Sequence, residues 1–369
     1  MKEKKLLIIS TGGTIAQTKG EGDGYTVNKG DEGARTFIAS LGKALDAAKI
    51  REENVGTMEI MDIDSSNLLP GHWVKIIDTI VENYDSYDMF LLTHGTNTMG
   101  YTTAALSFAL GNLGKPVVVT GSQVPLKYAG TDAIANLENG VLVAAHPGIA
   151  GVLTVFGSRI IIGTRTKKMT ESSRDAFASF KTKPLGEMTS RGVRIEEGYL
   201  NEYLGYYGSK SQLASGLEVH KNFDMRIASI TEFPGMNSDL LISIAQSPNI
   251  KGFVLRTSGA GDPNVLTVET EGKLRSEGKP YENLRQGFEY LRDNKIPIVV
   301  TTHAPDGVAS MDINTPGKIA KELGVIPAWD MSIESMTVKL GWLLGQGYSY
   351  GEICSKMVKS LRGEIVDSK

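Results

Sequence analysis

The chain has 369 residues, a length that predicts two domains at about 150 residues per domain. Hydrophobic residues make up 41% and charged residues 22%, as in globular proteins with a sizeable core. The net charge of −3 and the absence of a dense basic stripe argue against a nucleic-acid partner, since phosphate binding requires clustered Lys and Arg. A single cysteine, Cys354, excludes an intramolecular disulfide and is typical of a reducing compartment.

The chain carries no pattern of a membrane protein or a metalloenzyme. No apolar run approaches the ~20 residues of a membrane span, and the run at 6–9 is shorter than the ~7–15 apolar residues of a secretory signal. We therefore expect a cytoplasmic protein with no membrane partner. The five histidines are scattered without metal-ligand spacing, so neither a metal nor another cofactor is expected.

The first half alternates between strand and helix patterns. Short apolar runs, typical of strands buried in a parallel sheet, lie at 5–10, 58–63, 89–93 and 116–120. One helix is predicted after Pro70 from the apolar residues spaced i, i+3, i+4, i+7 and i+8, which are Trp73, Ile76, Ile77, Ile80 and Val81. A second is predicted from about Thr98 to Leu110. This order predicts a doubly wound, mostly parallel sheet.

A β-hairpin and a domain boundary follow. Two alternating runs within 151–169 flank Gly157 and Ser158, which predicts the hairpin. The segment 186–224 is polar and lacks strong periodicity, so we place a linker at 209–224, between an N-terminal catalytic α/β domain (1–208) and a smaller C-terminal α/β domain (225–369). The C-terminal domain is predicted to contain strands at 226–233, 252–258 and 296–302, helices at about 238–247, 281–293, 333–345 and 350–361, and a charged surface excursion at 262–280.

Polar, glycine-bearing loops follow all four N-terminal strands: STGGTI, DSSN, HGTNTM and TGSQVP. In an open α/β sheet the carboxyl ends of the strands form the ligand crevice, so these loops are expected to converge there. Any one of them could be an ordinary turn that caps a helix. The phosphate-binding patterns GxGxxG and GxxxxGK[ST] are absent, which makes a nucleotide loop improbable. The density of Ser and Thr in all four loops favours a catalytic site.

The same segments resemble a known family. TGGTIAQ (11–17), DSSN (64–67), HGTNTM (94–99), TGSQVPL (120–126), GTRTKKMTE (163–171) and SIESMTVKLGWLL (332–344) are similar to motifs of the bacterial-type L-asparaginases. The resemblance covers nearly the whole chain and is strongest to the cytoplasmic type I enzymes. It implies hydrolysis of the side-chain amide of L-asparagine to L-aspartate and ammonia, by a homodimer or homotetramer whose site a neighbouring subunit partly completes.

The resemblance also implies a role for each matching residue. Thr14 matches the nucleophile that forms an acyl-enzyme, and Tyr25 matches a tyrosine on a mobile loop. Thr96 and Lys168 match a proton relay. The substrate-binding matches are Ser65 and Ser66 for the α-carboxylate, Thr96 and Asn97, and Ser122 near the amide. The backbone N–H groups at Gly95–Thr96 are the candidates for the oxyanion hole.

Physical chemistry makes these roles plausible. A Thr hydroxyl attacks only if a neighbouring group takes its proton, and a lysine that does so must be desolvated or lie near other positive charge. Arg165 and Lys167 could supply that charge, although we expect both to lie in a solvated turn. Tyr25 could be a packing residue, but the three glycines at 20, 22 and 24 favour a mobile lid.

One residue departs from the family pattern. The family has Asp where this chain has Asn97, and that Asp would bind the substrate α-ammonium. Asn keeps the shape without the charge, either because the substrate has diverged naturally or because the site was engineered to be inactive and to trap a ligand. Asn97 could instead merely cap the helix that starts near Thr98. A glutaminase or another small-amide hydrolase, and a catalytically weak amino-acid-binding protein, therefore stay open, whereas an amidase acting on aminoacyl-tRNA is disfavoured by the lack of a basic patch.

Overall fold

The computed structural model describes residues 3–12, 18–19, 25–26, 38–126, 128–208, 216–279 and 281–366, with only the backbone described at 18–19 and 25–26. The chain divides into two compact units, Met1–Lys221 and Asn222–Lys369. This division falls inside the predicted linker, of which residues 209–215 lie outside the described part.

The first unit contains short strands and helices that alternate along the chain. Its strands are β1 (Leu6–Ser10), β2 (Thr18–Lys19), β3 (Tyr25–Thr26), β4 (Val55–Glu59), β5 (Met89–Thr93), β6 (Leu110–Gly111), β7 (Pro116–Thr120), β8 (Gly151–Phe156), β9 (Arg159–Ile162), β10 (Thr166–Lys168), β11 (Phe177–Ser179), β12 (Gly186–Thr189), β13 (Gly192–Ile195) and β14 (Glu218–Val219). Its helices are α1 (Gly42–Ala48), α2 (Pro70–Asn83), α3 (Met99–Ala109), α4 (Ala133–Ala144) and α5 (Glu197–Gly205).

The main sheet of this unit has eight strands in the order β13-β12-β9-β8-β7-β5-β1-β4. Five neighbouring strands pair in parallel, namely β4, β1, β5, β7 and β8. The strands β9, β12 and β13 are added in antiparallel orientation. β8 and β9 form the predicted hairpin, with Leu153 opposite Ile162. Every residue of β5 and β7 is buried, as expected of central strands covered on both faces. The predicted mostly parallel sheet is confirmed.

Three segments of the first unit differ from the sequence-based prediction. The strand expected at 58–63 is Val55–Glu59, and only Val55 of its five residues is buried. As the edge strand it carries too few apolar residues to be located by hydropathy. The helix after β5 ends at Ala109 rather than Leu110, because Leu110 and Gly111 pair with β14. The polar segment 186–224 is not featureless, since it contains β12, β13, α5 and β14.

The second unit is a smaller α/β unit. Its parallel strands, in spatial order, are β15 (Ile227–Thr231), β16 (Gly252–Thr257), β17 (Ile298–Thr302) and β18 (Ile326–Pro327). Its helices are α6 (Ser238–Ala245), α7 (Val268–Ser276), α8 (Arg285–Asp293), α9 (Thr315–Glu322), α10 (Ile333–Gly345) and α11 (Tyr350–Met357). No helix in the described part of the chain is long and apolar enough to cross a membrane.

The predicted surface excursion at 262–280 contains a helix, α7, that burial could not have revealed. None of its residues is buried, so it has no apolar stripe. Its ends stabilise it instead: the Thr267 side chain accepts from the Thr270 N–H, acidic residues lie in the first turn, and basic residues lie in the last. Caps and charges that complement the helix dipole favour a helix without tertiary packing.

A buried ion pair joins α10 to the C-terminal segment. Lys339 Nζ lies 2.6 Å from Glu364 Oε1, and both side chains are 0% exposed. Lys339 also donates to the carbonyls of Met357 and Lys359, and the Glu364 carboxylate accepts from the N–H groups of Leu361 and Arg362. Burial by itself would raise the pKa of Glu364, but Lys339 and the backbone donors outweigh it and hold that pKa below its usual value.

We predict that Glu364→Gln lowers the free energy of unfolding by about 3–5 kcal/mol at pH 7, because it leaves the Lys339 ammonium buried and unpaired. Urea unfolding followed by circular dichroism measures the loss. The matched control is Asp312→Asn, which breaks the exposed pair with Lys321 and should cost no more than ~1 kcal/mol.

The same pair has a predictable pH dependence. A carboxyl whose pKa is lower in the folded state stabilises the fold above its unfolded pKa of about 4.3, and the contribution is lost as the pH falls through the folded pKa. The stability difference between wild type and Glu364→Gln should therefore persist at neutral pH and shrink in acid. A difference that grows below pH 4 would contradict this assignment.

Candidate active site

The four polar loops predicted to converge do lie on neighbouring strands. β4, β1, β5 and β7 are adjacent and parallel, so their carboxyl ends share one edge of the sheet. Thr11 and Gly12 follow β1, the turn 65–67 follows β4, His94–Asn97 follows β5, and Gly121–Gln123 follows β7. This placement brings the Ser and Thr hydroxyls of separate sequence motifs to one place.

Two glycines allow these loops to pack directly on one another. A Cβ added to Gly95 would lie 2.7 Å from Ser65 Oγ and 2.8 Å from Ser65 Cβ. One added to Gly121 would lie 2.5 Å from the His94 carbonyl oxygen, which is backbone and cannot move aside. The glycines are therefore required by close approach between loops, as well as by any approach to a ligand.

Lys168 bonds directly to two other predicted site residues, Thr96 and Asn97, and through Asn97 to Ser66. It is the last residue of β10, and its Nζ donates to Thr96 Oγ1 at 2.8 Å and to Asn97 Oδ1 at 3.1 Å. Asn97 Nδ2 in turn donates to Ser66 Oγ at 2.8 Å. The side chains of Ser66, Asn97, Lys168 and Thr96 therefore form one continuous hydrogen-bonded chain across the edge of the sheet.

This chain explains what Asn97 does and does not do. The helix α3 has Thr98 as its N-cap residue, and the Asn97 side chain bonds to Lys168 and Ser66 instead of to the helix N–H groups. The simple capping explanation of Asn97 is therefore wrong. Thr98 Oγ1 donates to the Ser65 carbonyl at 2.7 Å, which ties the Ser65–Ser66 turn to the same loop.

Gln123 extends the chain and was missed by sequence reasoning. Its Oε1 accepts from Thr96 Oγ1 at 3.1 Å, and its Nε2 donates to the carbonyls of Glu171 and Ser173. The Gln123 N–H is held by the carboxylate of Asp132 at 3.0 Å. The only feature of the sequence that could have indicated Gln123 as a site residue is its position beside Ser122 in TGSQVP.

Ser122 is the predicted site residue that has an unused hydroxyl. It is 2% exposed, and its Oγ has no hydrogen-bond partner among the residues that the structure describes. A buried hydroxyl without a partner costs about 1–3 kcal/mol, which a ligand could recover by bonding to it.

Two of the predicted site residues lie outside the described part of the chain, namely Thr14 and the side chain of Tyr25. The backbone of β3, which begins at Tyr25, pairs with β2 in antiparallel orientation. The described loop residue Thr11 is anchored to β5, since its N–H and its Oγ1 both donate to the Thr93 carbonyl. The roles of Thr14 and Tyr25 therefore stay predictions.

The expectation that Arg165 lies in a solvated turn is wrong. Arg165 is 0% exposed, and its Nη1 donates to the Phe180 carbonyl at 3.4 Å. It sits in a short 3₁₀ turn whose three residues are all buried, in a region that contacts α3. Sequence could not show this because a charged residue is rarely buried without visible partners. Lys167, in contrast, is half-buried.

His94 is a buried histidine inside this loop cluster. Its Nδ1 lies 2.6 Å from the Gly95 carbonyl oxygen and its Nε2 lies 2.9 Å from Thr102 Oγ1. Burial lowers the pKa of His94 to about 4, so the ring is neutral at physiological pH. Among the described residues no group of three or more His, Cys, Asp and Glu side chains could hold a metal ion.

Two family models match this chain, one in each half. The family model described as "Asparaginase, N-terminal" matches residues 5–200, and the one described as "Glutaminase/Asparaginase C-terminal domain" matches residues 226–357. The chain belongs to the asparaginase family. The resemblance seen in its motifs is confirmed, and the chain is an amidohydrolase of this family.

Individual relatives agree over nearly the full length. L-asparaginase 1 of Escherichia coli is 32% identical, with 99% of each chain covered. The structure of the thermostable L-asparaginase of Thermococcus kodakarensis superposes with a TM-score of 0.79 at 30% identity, covering 99% of this chain and all of that one. A component of the glutamyl-tRNA(Gln) amidotransferase of Aeropyrum pernix is 29% identical over 98% of this chain and 80% of its own length.

We predict that Lys168→Met lowers kcat for amide hydrolysis at least ~100-fold, because it removes the donor that joins Thr96 to Asn97. Ammonia release measures the loss. Lys167→Met is the matched control, since it removes the same charge one residue away. Comparable losses in both variants would show that local positive charge, and not the Lys168 contacts, is what matters.

Proposed function

We propose that the chain hydrolyses the side-chain amide of L-asparagine to L-aspartate and ammonia through a Thr14 nucleophile and an acyl-enzyme, without a cofactor. The observation that carries this proposal is the hydrogen-bonded chain Ser66–Asn97–Lys168–Thr96 at the carboxyl edge of the sheet, the edge at which Thr11 and Gly12 follow β1. The similarity to L-asparaginases of two organisms over the whole chain supports the substrate.

The mechanism assigns one step to each group. Thr14 Oγ bonds to the amide carbon while Thr96 and Lys168 carry its proton towards the leaving nitrogen, which departs as ammonia. Water then attacks the acyl-enzyme and releases the carboxylate product. The N–H groups of Gly95 and Thr96 would stabilise the oxyanion formed in both steps, and neither donates to an acceptor in the described part of the chain.

Substrate binding uses the rest of the loop cluster. Ser65 and Ser66 would hold the α-carboxylate, Ser122 would bond near the amide with its unused hydroxyl, and Tyr25 would close over the site. Asn97 would meet the α-amino group. We also propose a cytoplasmic homodimer or homotetramer, in which a neighbouring subunit partly completes the site; light scattering measures that state.

A second candidate substrate class is favoured by the contacts of Asn97. Its oxygen already accepts from Lys168, so one lone pair is left for a substrate ammonium, and the amide has no charge to offer. This arrangement favours small amides that lack an α-ammonium more than it favours glutamine, which carries one. Ammonia release compared across asparagine, glutamine and succinamate, an amide without the amino group, separates these candidates.

We predict that Thr14→Ala abolishes ammonia release while aspartate binding and the melting temperature stay close to wild type. The reason is that a methyl group cannot form the acyl-enzyme, whereas the rest of the loop cluster is unchanged. Calorimetry measures aspartate binding. Thr14→Ser, which keeps a hydroxyl, should retain part of the activity, and near-full activity of Thr14→Ala would remove Thr14 from the mechanism.

We predict that Asn97→Asp raises kcat/KM for asparagine about 10-fold or more, since a charge-assisted hydrogen bond to the α-ammonium is worth ~1.5–3 kcal/mol. The same change should barely help succinamate, because that amide has no ammonium to meet the new carboxylate. A relay defect would instead change both substrates alike. Equal activity of the two forms on asparagine would rule out a role of Asn97 in binding the α-amino group.

A further inference from the structure

His94 is a buried group of the loop cluster that the proposed chemistry does not use. It follows β5 directly and is 2% exposed. Its backbone is fixed on both sides, because its N–H donates to the Thr120 carbonyl at 2.9 Å and its own carbonyl oxygen abuts the α-carbon of Gly121. The ring therefore projects from a rigid point at the edge of the sheet.

The contacts of the ring define which nitrogen carries the proton. The neighbour of Nδ1 is a carbonyl oxygen, that of Gly95, which can only accept, so Nδ1 must be the donor. In the neutral ring Nε2 then has a free lone pair. Thr102 Oγ1, 2.9 Å away on the fully buried face of α3, is placed to donate to it. The Gly95 carbonyl thus selects the Nδ1–H tautomer of His94, and the Thr102 hydroxyl, which can donate or accept, is compatible with it.

The carbonyl that the ring holds belongs to the peptide group of the candidate oxyanion hole. The C=O of Gly95 and the N–H of Thr96 lie in one rigid plane and point in opposite directions. Fixing the carbonyl oxygen therefore fixes the direction of the N–H.

Gly95 makes such a constraint necessary. Only glycine fits there, because a Cβ would collide with Ser65 at 2.7–2.8 Å. Glycine is also the residue whose flanking peptides turn most freely, so the close loop packing leaves this peptide without its usual steric restraint.

We propose that His94 is a positioning residue that orients the Gly95–Thr96 peptide for oxyanion stabilisation, with its Nδ1–H donating to the Gly95 carbonyl and Thr102 donating to its Nε2. This rests on the proposed function, since it takes the Thr96 N–H as a donor to the reacting amide. Both ring nitrogens of His94 are occupied, one by the Gly95 carbonyl and one by Thr102 Oγ1, so the ring has no nitrogen left for a substrate or for Lys168. Its contribution is therefore to kcat, through an N–H that matters most in the transition state.

The kinetic experiment uses two substitutions that each preserve one half of the ring's hydrogen bonding. His94→Asn places an amide donor near the position of Nδ1, within reach of the Gly95 carbonyl. His94→Gln places its amide near the position of Nε2, towards Thr102. We expect His94→Asn to keep kcat within ~3-fold of wild type and His94→Gln to lose at least ~10-fold, part of the ~100- to 1,000-fold that loss of a whole oxyanion donor costs.

The order of these two variants separates positioning from packing. If His94 only fills the core, Gln should be better tolerated than Asn because it is closer to His in volume and leaves less cavity. Melting temperatures measure that effect independently, and KM should change less than ~2-fold in both variants. A kcat that follows the melting temperature, with Gln above Asn, would overturn the proposal.

Nitrogen NMR of histidine-labelled wild type gives a readout that needs neither variant to be active. His94 should show the Nδ1–H neutral tautomer at pH 7, with its signal assigned by its disappearance in His94→Asn. Thr102→Val should leave that tautomer in place, because the Gly95 carbonyl, which can only accept, still faces Nδ1. An Nε2–H or doubly protonated ring in wild type would overturn the proposal. A wild type that releases no ammonia from any amide would instead overturn the proposed function, and the tautomer would still be decided.

Discussion

The close packing of backbone loops at the carboxyl edge of the N-terminal sheet is the constraint on which the rest of the site depends. Neighbouring parallel strands fix the spacing of the loops, and Gly95 and Gly121 let them approach to distances that no Cβ would permit. That approach brings Asn97 within hydrogen-bond reach of Ser66, and both Asn97 and Thr96 within reach of Lys168. The positions of these side chains consequently depend on the geometry of the backbone loops.

The polar chain at this edge has consequences for substrate choice. Among the described residues, Lys168 is the one cation that bonds directly to Thr96 and Asn97. Asn97 accepts this bond with a neutral amide oxygen and not with a carboxylate. A carboxylate at position 97 would satisfy Lys168 and still attract an ammonium, whereas the amide must divide its oxygen between them. In the proposed mechanism the residue at 97 therefore bears both on the proton relay through Lys168 and on the affinity for an α-amino group.

Sequence alone predicted the parts of this structure that depend on periodicity and on local motifs. Unbroken apolar runs located β1, β5 and β7, and the helical spacing after Pro70 located α2. The resemblance of the sequence motifs to the asparaginase family then gave Ser65, Ser66, Thr96, Asn97 and Lys168 as candidates. The edge strand β4 and the solvent-exposed helix α7 escaped because neither buries an apolar face. Their formation depends on strand pairing and on helix caps, which hydropathy does not record.

The residues that sequence missed are those whose role is set by a partner far along the chain. Gln123 reaches the carbonyls of Glu171 and Ser173, and Arg165 reaches that of Phe180. The residue types at positions 123 and 165 do not predict these acceptors, because the acceptors are main-chain carbonyls that any residue supplies. Side chain to backbone bonds of this kind depend on the fold and leave almost no trace in composition or spacing.

Two buried ionisable groups show how the chain manages charge in its two units. Burial lowers the pKa of Lys339, whose side chain is matched by Glu364 and two carbonyls, so its burial demands a complete set of partners. His94 loses its charge on burial, which leaves one nitrogen to donate and one to accept. A protonated ring would have two donors, and one of them would face the Thr102 hydroxyl that it now accepts from. The neutral histidine donates from Nδ1 to the peptide beside it without burying a charge, a task that a purely apolar side chain of the same size could not perform.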